Sequence, residues 1–245
     1  MRVLVVDDSV VFRSQIKGAL EGIEGVEVVG SANNGKIAIQ KLQQVPVDLI
    51  TLDLEMPEMG GLETIKEIKR LKFPLKIIVF SSHSTRGSEM TLEALRLGAE
   101  DFVAKPQGDD LTFANAQEKI REELLPKIMQ FAGVKVLRQN SPINITPLKS
   151  NFSKLDLHTF RPQVILIGSS TGGPPALEIV LKNLPKDYRL PILIAQHMPP
   201  IFTVSLARRL KETSGLESQE AIDNSELKPG HIYVAPGDFH LVLKK

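Results

Sequence analysis

MRVLVVDDSVVFRSQIKGAL, residues 1–20, passes from a short apolar run through two acids into helical spacing. RVLVV (2–6) does not alternate polar with apolar, so it reads as a strand buried on both faces. Asp7 and Asp8 follow at once, and SVVFRSQIKGAL (9–20) spaces its apolar residues for a helix that either Asp8 or Ser9 could cap. The same unit recurs down the first half of the chain. VEVVGSA (26–32) precedes GKIAIQKLQQ (35–44), and DLITL (48–52) precedes LETIKEIKRL (62–71). KIIVF (76–80) precedes SEMTLEALRLG (88–98), and DFVA (101–104) precedes LTFANAQEKIREELL (111–125). Short apolar strands, each followed by a helix, predict an α/β domain over 1–132 with a five-stranded parallel sheet covered on both faces.

Past residue 132 the pattern breaks. QNSPINITPLKSNFS (139–153) lacks periodicity and is rich in Asn, Ser and Pro, so 133–161 reads as a linker. Alternation resumes over 162–245. VILI (164–167) leads to a helix from Pro174, PILIA (191–195) leads to FTVSLARRLKE (202–212), and HIYVA (231–235) follows the turn KPG. FHLVL (239–243) reads as a last strand. With 245 residues there is room for two domains, and 42% hydrophobic with 24% charged residues is a soluble, globular balance. A net charge of +1 gives no basic field for nucleic acid. No cysteine is present, which excludes disulfides and thiol chemistry. The first acids come too early for a signal peptide or a membrane-inserted span, and the expectation is a cytoplasmic protein.

Residues just beyond the carboxyl ends of parallel strands line the ligand crevice of an open α/β sheet. That rule gathers Asp7, Asp8, Asp53, Ser81 and Lys105. Crowded carboxylates repel unless a hard divalent cation sits among them, and a lysine opposite would hold an anion beside that cation. Taken singly, each residue has a plainer role as a helix cap, a loop acid or a solvated lysine. Together they describe a site where Asp53 could accept a phosphoryl group. DDS (7–9), LDLEMPEMGG (52–61), FSS (80–82) and AKP (104–106) resemble the flavodoxin-like receiver domain of two-component response regulators. The resemblance implies Asp53 as phosphoacceptor, with Mg²⁺ held by Asp8, Asp53, the Glu55 carbonyl and, through water, Asp7. It also implies Ser81 as switch hydroxyl, Lys105 as the phosphate-facing lysine, a cis Lys105–Pro106 bond and a histidine kinase as phosphodonor.

Three readings compete for GSSTGG (168–173). A Walker loop needs a Gly-Lys-Ser/Thr ending that is absent, and Gly-x-Gly-x-x-Gly fails at Gly168-Ser169-Ser170. Gly168-Ser169-Ser170-Thr171-Gly172 does fit Gly-x-Ser-x-Gly between a strand and a helix, although an ordinary tight turn would also serve. AQHMPP then decides between them. His197 falls just past its strand end, 27 residues after Ser170, a spacing that suits one helical crossover between parallel neighbours. Ser170 becomes a candidate nucleophile and His197 a candidate base, with amides of the following helix expected at the oxyanion position.

GSSTGGPPAL, AQHMPP, ARRL and LKPGHIYVAPGDFHL resemble the catalytic domain of the chemotaxis protein-glutamate methylesterases, the CheB family, whose order is receiver, linker and a doubly wound α/β catalytic domain. The resemblance implies hydrolysis of glutamate methyl esters on chemoreceptors by serine acyl transfer, often with glutamine deamidation, and needs no cofactor for the ester chemistry. It also implies a triad aspartate far downstream of the histidine. Only 48 residues follow His197, and Asp238 matches a family motif position but not that acid. The expectations are therefore a chain shortened at its C-terminus, an incomplete second sheet with an exposed apolar edge, and weak turnover. A catalytically inactive, phosphorylation-dependent docking module is the alternative.

Overall fold

The computed structural model describes residues 1–107, 112–131, 161–185 and 187–244. The first half runs β1 (Arg2–Val6), α1 (Val10–Leu20), β2 (Glu27–Ala32), α2 (Gly35–Gln44), β3 (Leu49–Asp53), α3 (Gly61–Arg70), β4 (Lys76–Ser81), α4 (Thr85–Arg96), β5 (Asp101–Ala104) and α5 (Phe113–Phe131). Its strands form one parallel sheet in the order β2-β1-β3-β4-β5. Side chains alternate across it. Val3, Val5, Leu49, Ile78 and Phe80 pack with Ile16 and Leu20 of α1 and with Ile120, Leu124 and Ile128 of α5. Leu4, Val6, Ile50, Leu52, Ile77 and Val79 pack on the opposite face with α2, α3 and α4. Burial on both faces is why these strands read as unbroken apolar runs.

Two helices outrun their sequence limits. α4 starts at Thr85 because the Ser84 hydroxyl accepts the Gly87 N–H at 2.9 Å and caps it. α5 continues to Phe131 through Pro126, although proline removes a donor there. Ile120, Leu124 and Ile128 stay at a spacing of four and are all fully buried, so packing outweighs the lost bond.

The expected linker, 133–161, lies outside the described residues except for Arg161. The second half holds β6 (Ile165–Ser169), α6 (Gly173–Lys182), β7 (Ile192–Gln196), α7 (Pro200–Ser214), β8 (Glu217–Glu220) and β9 (His231–Val234). They build a parallel sheet in the order β6-β7-β9-β8. β8, with sequence ESQE, has no apolar run to betray it and is held by its pairing with β9. Residues 239–243 form no strand, contrary to the sequence reading. No strand lies alongside to pair with them among the described residues, and Phe239 and Val242 are exposed. β6 is an outer strand of this sheet among the described residues, and its Leu166 is 68% exposed on a face that no element there covers.

The halves share one apolar cluster that passes from α4 and β5 into α6 and α7. Phe102 and Phe202 meet with ring centroids 4.7 Å apart. Beside them the Ser88 and Ser205 hydroxyls, both buried, are 2.6 Å apart. At the rim Arg209 bridges Glu93 and Glu178, each at 3.2 Å.

Candidate functional site

At the carboxyl edge of the first sheet Ser9 is the cap of α1, its hydroxyl accepting the Phe12 N–H at 3.2 Å. Asp7 accepts the Ser9 N–H at 2.8 Å, and Asp8 is left exposed. Asp7, Asp8 and Asp53 each bring one carboxylate oxygen to within 4.8 Å of the others. Lys105 Nζ lies 2.9 Å from Asp7 and 2.8 Å from Asp53, over the Phe12 ring. Burial pushes Asp53 up to about 6; Lys105 opposes that rise and the Asp7 charge adds to it. Burial also works against the Lys105 charge, but Asp53 and Asp7 outweigh it and the ammonium is held above its ordinary value.

Oxygen ligands, surplus negative charge and a buried phosphoacceptor candidate fit a small hard cation such as Mg²⁺. Glu55 gives its N–H to Asp53 at 3.3 Å while its carboxylate accepts from Ser82, so its carbonyl is the group left for an ion. Gly61 is required by space: a Cβ there would lie 2.5 Å from the Asp53 carbonyl oxygen. Ser81 donates to the Gly87 carbonyl at 2.9 Å, so its hydroxyl is engaged with α4. The Lys105–Pro106 bond is trans, which differs from the expectation; in that form Lys105 N donates to Ser81 O and its ammonium reaches both acids.

The second site forms where β6 and β7 end together. Ser169 pairs with Gln196 in register, and the next residues, Ser170 and His197, emerge exposed side by side. Both line a cleft of about 900 Å³ whose facing wall is α5, through Glu122, Glu123, Pro126 and Lys127. No hydrogen bond joins Ser170 to His197 among the described residues, and no carboxylate there bonds His197. Asp238 lines the same cleft. Thr171, next to the candidate nucleophile, donates its hydroxyl to Asp101 of β5 at 2.6 Å, and Lys127 meets the same carboxylate at 3.0 Å.

The expected oxyanion donors need correction. Pro174 and Pro175 open α6 and carry no N–H, and the Gly173 N–H is taken by the Ser170 carbonyl at 2.8 Å. The Ser170, Thr171 and Gly172 amides have no partner among the described residues, and they are the donors left at the turn. Sequence reading does not single out Gln196, Asp101 or Thr171. The one available clue to Gln196 is a polar residue closing the apolar strand PILIA.

Residues 3–116 match the response regulator receiver domain family, and residues 165–245 match the CheB methylesterase family. Protein-glutamate methylesterase/protein-glutamine glutaminase of Thermotoga maritima is 43% identical over 100% of this chain and 68% of its own length. The protein of the same name from Trichodesmium erythraeum is 42% identical over 99% of this chain and 69% of its own. The crystal structure of the response regulator domain of Thermotoga maritima CheB is 41% identical, with a TM-score of 0.48, covering 55% of this chain and 97% of that one. The chain thus spans about two thirds of the length of these full-length relatives. Among the described residues no helix is long and apolar enough to cross a membrane.

Proposed function

Because the chain belongs to the family of protein-glutamate methylesterases/protein-glutamine glutaminases, with a response regulator receiver domain ahead of the methylesterase domain, we propose that it hydrolyses glutamate methyl esters on chemoreceptors under control of phosphorylation at Asp53. The observation that carries this reading is the delivery of Ser170 and His197, from paired strand ends, into one cleft walled by the receiver. Domain limits of 1–132 and 162–245 belong to the same proposal.

Ser170 Oγ attacks the ester carbonyl carbon while His197 takes its proton, and the Thr171 and Gly172 amides face the developing oxyanion. Collapse breaks the bond to methoxide, which leaves as methanol with the proton from His197. Water then attacks the seryl ester, His197 again serving as base, to free the glutamate and Ser170. The serine–histidine bond this requires forms once substrate fills the cleft. With a glutamine side chain the same steps release ammonia.

On the receiver a histidine kinase is the phosphodonor, and an Asp53 oxygen takes the phosphoryl group. Asp7, Asp8, Asp53 and the Glu55 carbonyl would hold Mg²⁺, which supplies charge neutralisation for the transfer. Before transfer, α5 covers the cleft, and Asp101 grips Thr171. After it, the phosphoryl oxygens draw Ser81 away from Gly87, the residue beside Ser88 and its bond to Ser205. The docked face then loosens and the cleft opens.

The test is methanol release from a receptor peptide carrying glutamate methyl esters. Release should depend on Ser170 and rise once Asp53 is phosphorylated. Release that persists in Ser170→Ala would overturn the assignment.

A further inference from the structure

Gln196 ends β7 directly before His197 and is buried to 8% exposure. A buried side-chain amide must find partners, and where it finds them shows what it holds in place. Its Oε1 accepts the Ser169 hydroxyl at 2.6 Å, and its Nε2 donates to the Ser170 carbonyl at 2.9 Å and to the His197 carbonyl at 3.4 Å. One amide therefore ties the turn carrying Ser170 to the backbone of His197. Room for it is made on purpose-like terms by Gly173, where a Cβ would lie 1.9 Å from Gln196 Oε1. The second glycine of the pair is thus set by space, whereas Gly172 is set by conformation, with φ 74° and ψ 0° at the third position of the turn.

The bond to the Ser170 carbonyl has a further consequence. A peptide unit is planar and trans, so the Ser170 C=O and the Thr171 N–H point in opposite directions within one rigid plate. The Gly173 N–H already holds that carbonyl from one side at 2.8 Å. Gln196 adds a second bond to the same carbonyl at 2.9 Å, and two donors restrict the rocking of the plate more than one would. The Thr171 N–H is one of three N–H groups at the turn, with those of Ser170 and Gly172, that have no partner among the described residues, and its aim follows from the plate. Oxyanion stabilisation depends on donors fixed in advance, so this orientation carries catalytic weight.

We propose that Gln196 is a positioning residue for ester cleavage: its amide orients the Thr171 N–H toward the oxyanion and keeps the Ser170 turn in register with His197. The proposal rests on Ser170 being the nucleophile. Its test uses the 245-residue chain and p-nitrophenyl acetate, following acetylation of Ser170 by intact mass and by the nitrophenolate burst. Gln196→Ala should slow acetylation about a hundredfold, the scale of losing one oxyanion donor, with half-saturation unchanged. Gln196→Glu keeps the shape but offers a carboxylate that cannot donate to the Ser170 carbonyl, so it should lose as much; a space-filling role would let it pass. In both variants labelling of Asp53 by acetyl phosphate should stay at the parent level, which reports an intact receiver. Slowing of only a few-fold in both would overturn the proposal. Acetylation as fast in Ser170→Ala as in the parent would instead overturn the nucleophile assignment. A second readout needs no turnover: the Thr171 amide resonance should shift, and its hydrogen exchange quicken, in both variants. An unmoved Thr171 amide would refute the positioning role whatever the acetylation rates.

Discussion

β1 and β6 are alike as sequences, RVLVV against ILIGS, and unlike as surroundings. β1 sits between β2 and β3, and Val3, Leu4, Val5 and Val6 are all fully buried. Among the described residues β6 has one neighbour, β7, and its Leu166 is 68% exposed. An apolar run therefore announces a strand without announcing how well it will be covered. The two candidate sites differ in the same way. Asp7, Asp8, Asp53 and Lys105 all come from one sheet, whereas the Ser170 cleft takes its second wall from the other half of the molecule.

The largest expected effect tests whether the first site is self-contained. Asp53→Asn should abolish labelling by acetyl phosphate or a phosphorylated histidine kinase in Mg²⁺. It should also stabilise the ion-free protein at neutral and higher pH. Because the folded Asp53 carboxyl titrates near 6, above its unfolded value, its contribution to stability is full below about pH 4 and is lost as the pH rises through 6. Asparagine removes the charge responsible. Thermal melts at pH 5 and pH 8 without divalent ions check this: the variant's advantage should appear at pH 8 and shrink at pH 5. Added Mg²⁺ should raise the melting temperature of the parent and not of the variant.

The second prediction breaks the contact between the halves. Phe202 is fully buried and packs against Phe102 across the boundary, the two rings tilted by 32°. Phe202→Ala should cost about 3–5 kcal/mol of unfolding free energy. Because the lost contacts join both sheets, denaturant melts should separate into two transitions where the parent shows one. A single sharp transition in the variant would mean that the shared cluster is not what couples the halves.

The third probes the buried hydroxyl pair. Ser88→Ala strips the buried Ser205 hydroxyl of its partner and should cost about 1–3 kcal/mol, whereas Ser205→Ala leaves Ser88 its bond to the Thr85 carbonyl at 2.8 Å and should cost less. The double substitution should cost clearly less than the sum, and a double-mutant cycle on denaturant midpoints measures the difference. Additive costs would show that the hydroxyls do not act on each other.

Legibility followed the same divide. The clustering of Asp7, Asp8, Asp53 and Lys105 could be read because four strands of the first sheet end in chemistry-bearing residues and the strand-end rule collects them. The meeting of Ser170 and His197 at neighbouring strand ends was legible for the same reason. Lost to sequence were contacts between residues far apart in the chain, such as Thr171 with Asp101 and Ser88 with Ser205, because no local period encodes them. β8 was hidden because ESQE is a strand by pairing alone, and 239–243 misled because apolar alternation needs a neighbour to become a strand. The helix amides were misassigned although Pro174 and Pro175 were in plain view, since counting donors requires subtracting prolines.

The smallest expected effect supplies a control on the far side of the receiver. Asp48 precedes β3 and accepts from the Arg2 backbone at 2.7 Å and from its guanidinium at 2.7 and 3.1 Å. The Arg2 side-chain bonds, and after them its backbone N–H, hold the Asp48 carboxyl down at about 2. A lowered carboxylate value means stability that is present above the unfolded value near 4 and lost as the pH falls through 2. The pair is 41% and 42% exposed, so solvent screens it and its contribution to stability is small. Asp48→Asn should lower the melting temperature slightly at pH 7, and the gap to the parent should narrow as the pH falls from 4 toward 2. It touches neither α4 nor β5, so it should leave the Phe202→Ala and Ser88/Ser205 effects unchanged when combined with them. If Asp48→Asn split the denaturant transition as Phe202→Ala is expected to, loss of stability in the receiver alone would suffice to uncouple the halves, and the shared cluster would lose its special place.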